Sequence, residues 1–225
     1  MPSVSNIAAQ TLQRQIMSSH YPAGAALPPQ RELSELLGIS RASLREAITM
    51  LEALGMLRSR PGKGVFVTAG TRPLANDLPA GPSAMTPADI YQLRYVIEPA
   101  NASLSAQNRT DSDLQLLRAN LSAMEAALST CDLVTAAEED LLFHQLIAGL
   151  SGNSGLQTIV EQFKGQLAFS LRLPFADRTH IWQTADEHRA IVDAIQAGNP
   201  ALARNAMQQH LQAAAYRVGI SFTQP

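Results

Sequence analysis

The stretch EEDLLFHQLIAGL, residues 138–150, puts an acid and an imidazole where a helix needs apolar residues. At ~100° per residue, Asp140 and His144 fall within about 40° of Leu133, in the stripe that also holds Ala137 and Ile147. A lone carboxylate buried there is costly, and a charged partner or a metal ion removes the cost. The i, i+4 spacing sets both groups on neighbouring turns of one face, where they can share a ligand. Two further histidines behave alike. His188 falls within the apolar face of Ile181, Val192 and Ile195, and His210 lies at the edge of the stripe Ala203, Met207, Leu211, Ala214 and Val218. Taken singly, each imidazole reads better as a hydrogen-bonded core residue, and Asp140 with His144 reads equally as an internal hydrogen bond. Four such residues on the core faces of three helices shift the balance toward a metal. Three imidazoles and a carboxylate suit Zn2+ first, with Ni2+, Mn2+ or Fe2+ as alternatives, and leave positions open for water or a ligand. His20 and His180 have no such placement.

The same arithmetic brings two more polar residues to a core face. On the helix whose apolar sector is Ile90, Leu93, Ile97 and Leu104, Arg94 and Asn101 fall inside or beside that sector. Arg94 has two readings: an i, i+4 pair with Glu98, or a fork that grips a ligand carboxylate bidentately. Asn101 is a pocket candidate by its place alone.

These residues need elements to carry them. From Pro87 onward strand signals are absent, and six helices are expected at about 87–107, 110–130, 132–150, 154–173, 179–197 and 199–219. Thr86 before Pro87, Thr110 before acids and Asn199-Pro200 mark their starts. Short connections predict an antiparallel helical bundle. Ahead of it, residues 71–86 are rich in proline and read as a linker. Residues 1–70 read as a helix ending near His20, a loop, the helix QRELSELLG closed by Gly38, and a helix opened by Ser40 with the stripe Leu44, Ile48, Leu51 and Leu54. The hairpin MLRSRPGKGVFV follows Gly55. Two helices joined by GIS and followed by a hairpin make a winged helix-turn-helix, whose second helix enters the DNA major groove. Arg41 and Arg45 face away from the apolar stripe and are free for DNA, although Arg41 could instead pair with Glu46 or Glu52. Ser40 and Ser43 add hydroxyls at a helix start that favours phosphate, and Lys63 rides the wing between two glycines.

Charge supports the division. Up to Arg72 the chain carries eight basic residues against four acidic ones, and beyond it nine against fifteen. A basic head on an acidic body implies different partners for the two. The single cysteine, Cys131, excludes an internal disulfide and fits a reducing cytoplasm; it reads as an inert residue at a helix start. No apolar run approaches the ~18 residues of a membrane span, and the N-terminus has no signal-peptide pattern.

The stretch LPPQRELSELLGISRASLREAITMLEALGMLRSRPGKGVFV closely resembles the DNA-binding domain of the GntR family of bacterial transcription regulators. The resemblance implies DNA contacts for Arg31, Ser40, Arg41, Ser43, Arg45 and the wing Gly62. LRYVIEPANASLSA, EEDLLFHQLIAGLSGN and EHRAIVDAIQAGNPALARNAMQQHL resemble the all-helical FCD effector domain of its FadR subfamily. That second resemblance implies a metal held by Asp140, His144, His188 and His210, and a carboxylate effector met by Arg94.

The expectation is a mostly α-helical protein: a winged helix-turn-helix over 1–70, a linker over 71–86, and an all-α FCD bundle over 87–225. It would act as a cytoplasmic homodimeric regulator on a pseudo-palindromic double-stranded DNA operator, without membrane contact. Its DNA binding would change when a small organic or sugar acid enters the metal-containing pocket. A metal-dependent hydrolase is the rival from another class, but no further general base is identifiable and the DNA-binding head would be unexplained. A regulator that senses the metal itself is the third reading.

Overall fold

The computed structural model describes residues 3–68 and 85–223. The head begins with α1 (Val4–Met17), which the Ser3 side chain caps by accepting from the Asn6 N–H and which ends three residues short of His20. Helix α2 (Gln30–Leu37) stops at Gly38, whose φ of 63° is a left-handed C-cap. Ser40 then caps α3 (Arg41–Ala53) by accepting from the Ser43 N–H. The wing pairs β1 (Leu57–Arg60) with β2 (Gly64–Val67) in antiparallel register, Leu57 opposite Val67 and Arg60 opposite Gly64. Leu44, Ile48, Leu51 and Leu54 are all buried, so the expected stripe of α3 is its core face.

The body comprises α4 (Pro87–Asn108), α5 (Asp111–Ser129), α6 (Leu133–Leu150), α7 (Ser154–Gln162), α8 (Lys164–Arg172), a 3-10 turn (Leu173–Ala176), α9 (Ile181–Gln196) and α10 (Pro200–Arg217). Full capping boxes, Thr86 with Asp89 and Thr110 with Asp113, open α4 and α5. Helix α4 packs against α10, α6 and α9, and α5 packs against α6 and α9. Among the described residues, no helix is long and apolar enough to cross a membrane. Of the expected linker, only Met85 and Thr86 lie within the described residues.

One expected helix is two. The run 154–173 breaks at Phe163, whose ψ of 11° leaves the helical range, and α8 then tightens into the 3-10 turn. The break lets α7 lie along α6 while α8 reaches α4 and α3 as well. The Phe163 side chain packs on a cluster of Ile97, Ala148, Val160 and Leu167. Periodicity cannot reveal such a bend, because both segments keep the same repeat. The next helix also starts later than expected, at Ile181, since Asp177 accepts from the Thr179 N–H and holds a turn there.

Head and body share one core. Leu12, Leu33 and Leu51 join Met124, Leu133 and Phe175 in a single buried cluster. At its edge Gln13 of α1 caps α6 from outside: its Nε2 donates to Asp132 Oδ1 at 2.7 Å, and its Oε1 accepts from the Val134 N–H at 3.1 Å. Gln10 Nε2 donates to Thr135 Oγ1 at 3.0 Å. Gly55 touches the 3-10 turn so closely that a Cβ there would lie 2.8 Å from Ala176 Cβ. The helix that starts under Gln13 is the one that carries Asp140 and His144.

Candidate metal centre

Helix α6 turns Asp140 and His144 inward, α9 supplies His188 and α10 supplies His210, all buried. One ring nitrogen from each histidine lies within 4.8 Å of the other two. Asp140 Oδ1 is 3.2 Å from His188 Nε2 and 3.4 Å from His144 Nε2. Bonds of about 2.1 Å to one ion set neighbouring donor atoms about 3.0 Å apart in an octahedron and about 3.4 Å apart in a tetrahedron. Both contacts therefore have the length of a coordination edge. They are not aligned as hydrogen bonds: Asp140 Oδ1, His188 Nε2 and His210 Nε2 have no hydrogen-bond partner among the described residues. Buried polar atoms left this way are rare in folded proteins, and here they converge. The donor set fits a divalent ion.

Electrostatics divide these groups: they favour an ionised Asp140 and neutral His188 and His210, and they favour a proton on His144. Burial alone would raise the Asp140 carboxyl, but His144 and His188 outweigh it and hold the group far below the usual carboxylate range. Burial pushes His188 down to about 4, so it is neutral at pH 7 as a ligand must be. Burial also lowers His210. His144 moves the other way, because Glu98 and Asp140 outweigh its burial and raise it above 6.5.

Arg94 lies beside these groups and is 0% exposed. Its Nε and Nη2 donate to Glu98 at 2.8 and 3.3 Å, so the i, i+4 pair is present. The rest of the guanidinium faces the centre, with Nη2 3.2 Å from His144 Nε2 and Nη1 3.3 Å from Ser170 Oγ. The pair and an inward-facing edge thus coexist. Glu98, also buried, is held down to about 2 by Arg94 and His144 against its burial. Asn101, seven residues after Arg94, is buried, and neither of its amide atoms has a partner among the described residues. An open cleft of about 700 Å3 elsewhere, between Arg109, Arg118 and Gln196, shares no lining residue with this cluster.

In the head, Arg31, Ser40, Arg41, Arg45, Gly62 and Lys63 are exposed, while Ser43 is half-buried. The Ser40 hydroxyl serves as the cap and lies 3.0 Å from the Ser43 hydroxyl. Glu52 accepts from the Ser59 N–H at 2.6 Å, tying α3 to the wing. No ion pair joins Arg41 to Glu46 or Glu52 among the described residues.

Sequence reasoning passed over three groups around the centre: Glu187, Arg217 and Ser170. Glu187 had a signal, since it adjoins His188 and lies one helix away from His210. Arg217 had little, because a basic residue in a last helical turn is ordinary.

Comparison with known proteins covers both parts of the chain. Residues 5–67 match the bacterial regulatory proteins of the gntR family, and residues 89–213 match the FCD domain. The Uxu operon regulator of Haemophilus influenzae is 31% identical over 213 residues, 90% of this chain and 77% of that protein. The HTH-type transcriptional regulator LutR of Bacillus subtilis is 29% identical over 196 residues, 84% of this chain and 89% of that protein. A solved GntR structure from Streptococcus agalactiae, 29% identical, aligns over 95% of this chain and 98% of its own, with a TM-score of 0.50.

Proposed function

The chain belongs to the gntR family of bacterial transcription regulators and carries that family's FCD domain, and on that premise we propose that a small carboxylate bound at a metal centre in its helical body controls its grip on DNA. The reading rests on one observation above others: buried, unpartnered donor atoms from α6, α9 and α10 converge beside the inward edge of Arg94. Asp140, His144, His188 and His210 would hold the ion, zinc being the first choice for this donor set. The ion would supply an open coordination position to an anionic oxygen. Arg94 would meet the second carboxylate oxygen through the guanidinium edge that Glu98 leaves free, and Asn101 would satisfy a further polar group of the acid. Because these atoms are buried, the acid must enter by a movement of the surrounding helices.

Helix α6 links the centre to the head. Its N-terminus is capped by Gln13 of α1, and Asp140 and His144 follow about two and three turns further on. An acid that binds one arrangement of α6 more tightly than another would bias the docking of the head. The head in turn would present α3 to a major groove, with Arg41 and Arg45 at base edges and Ser40, Ser43, Arg31, Gly62 and Lys63 along the backbone. As a homodimer in the cytoplasm, the protein would read a pseudo-palindromic site with two such heads.

The test is DNA-binding anisotropy on a site selected from random duplexes by the zinc-loaded protein, titrated with organic and sugar acids. The proposal expects at least one acid to shift the affinity, and the shift to vanish after chelation. A zinc-loaded protein whose affinity moves with no acid overturns the effector reading. A shift caused by zinc alone, and unaltered by acids, makes the metal itself the signal.

A further inference from the structure

His210 carries a hydrogen-bonded carboxylate on the nitrogen that faces away from the centre, whereas the corresponding nitrogen of His144 lies near a carboxylate without hydrogen-bond alignment. His210 Nδ1 is 2.8 Å from Glu187 Oε2, and His144 Nδ1 is 2.9 Å from Glu98 Oε2. An arginine grips each carboxylate in turn. Arg94 holds Glu98, and Arg217 holds Glu187 through Nη1 to Oε1 at 2.5 Å and Nη2 to Oε2 at 2.9 Å. Arg217 also donates to Thr184 Oγ1 at 3.3 Å, one turn before Glu187 on α9. Among the described residues His188 has no such partner, and it is instead stacked on Phe143, ring centres 3.8 Å apart at 14°.

A carboxylate only accepts, so the proton between Glu187 and His210 belongs to Nδ1. That choice puts the lone pair on Nε2, the buried atom with no hydrogen-bond partner among the described residues. Without Glu187 the ring could carry its proton on either nitrogen and lose the contact that fixes its plane. Arg217 matters because Glu187 is 21% exposed at its side chain and could otherwise swing toward water. Both oxygens of Glu187 are occupied by these contacts, so it stands outside the donor set.

We propose that Glu187, clamped by Arg217, is a positioning residue that holds His210 with its proton on Nδ1 and Nε2 turned into the centre. Its consequence for metal affinity rests on the metal reading above, whereas its effect on the ring does not. Outer carboxylates of this kind fix ligand orientation, and their loss weakens metal binding by about 10- to 100-fold. The full-length protein is compared with Glu187→Met, Glu187→Gln and Arg217→Met by two measurements. Nitrogen-15 NMR of the metal-free protein reports the His210 tautomer, and competition with a chelating dye reports Zn2+ affinity.

Wild type should show one tautomer, protonated at Nδ1. Glu187→Met should show a mixture and bind Zn2+ about 10- to 100-fold more weakly. Glu187→Gln, which keeps an acceptor, should recover part of the loss, and Arg217→Met should fall between it and wild type. If Glu187→Met does not fold, Arg217→Met carries the comparison, since it leaves the carboxylate present but unclamped. A folded variant at either position with the wild-type tautomer and wild-type Zn2+ affinity overturns the proposal. If wild type binds no Zn2+, the metal reading falls, and the tautomer comparison still decides the role of Glu187.

Discussion

Replacing Arg94 with alanine should do more than silence a ligand site; it should destabilise the body. Arg94 is wholly buried, and its Nε and Nη2 bond the buried Glu98. Removing one partner of a buried ion pair costs about 3–5 kcal/mol, because the other charge is left without compensation. His144, 2.9 Å from Glu98, offers a substitute partner and pulls the expected loss toward the lower end, about 3 kcal/mol. With a urea dependence of about 2–3 kcal/mol per molar, the unfolding midpoint should drop by about 1–1.5 M. Far-UV circular dichroism during urea titration of the metal-free protein measures it. The double variant Arg94→Met with Glu98→Met removes both charges at similar volume and should recover most of the loss.

Acid supplies an internal check. Glu98 is held at about 2, below its ordinary 4.5, so its stabilising contribution is present above about 4.5 and is lost as pH falls toward 2. The gap between wild type and Arg94→Ala should therefore narrow over that window. A single variant that unfolds at the wild-type midpoint at pH 7, or a double variant no better than the single one, refutes the reasoning. The outcome also governs how effector experiments are read, because a destabilised Arg94→Ala protein loses its pocket along with its fork.

Arg41→Ala and Arg45→Ala should each weaken specific DNA binding by about 1–3 kcal/mol, with affinity falling steeply as salt rises, as measured by anisotropy on a selected duplex; full-strength binding by the double variant would remove α3 as the reading helix. His188→Ala should lower zinc content measured by elemental analysis, while His180→Ala, whose ring pairs with Asp177 at the surface, should keep it. Zinc should also leave as pH falls, because protons compete for the ligand lone pairs and Glu98 and Asp140 raise the proton affinity of His144 over that of an ordinary imidazole; retention at pH 5 equal to that at pH 7.5 would count against His144 as a ligand. Gln13→Ala strips the Val134 N–H of its partner in a buried place and should cost about 1–3 kcal/mol. Hydrogen exchange at the Val134 amide should speed up accordingly, and unchanged protection would show that Gln13 does not secure α6.

Much of the framework was legible because it follows from local rules. Ser40 before an amphipathic run, Gly38 after a short helix and Thr86 and Thr110 before acidic first turns are short-range chemistry, and each cap formed where it was expected. The burial of Asp140, His144, His188 and His210 was legible for a related reason. A helix has a fixed angular repeat, so a polar residue in an apolar stripe must end up inside. Arg94 was left with two readings because its sequence neighbourhood contains Glu98 but says nothing of what faces its other edge.

What only the tertiary structure decided is relative position between elements far apart in the chain. Periodicity assigns a residue to a face but not to a neighbour. The 3.2 Å approach of His188 to Asp140 and the grip of Arg217 on Glu187 across α9 and α10 depend on how helices cross. The break at Phe163 belongs to the same class, since the side chain at the bend packs against residues of α4 and α6. So does the seating of Gln13 over the start of α6, which joins residues more than a hundred positions apart. The sequence by itself determined that Asp140, His144, His188 and His210 are buried and where α3, α4 and α5 begin; helix packing decided which buried groups meet, because contact energies between distant segments leave no periodic trace in either one.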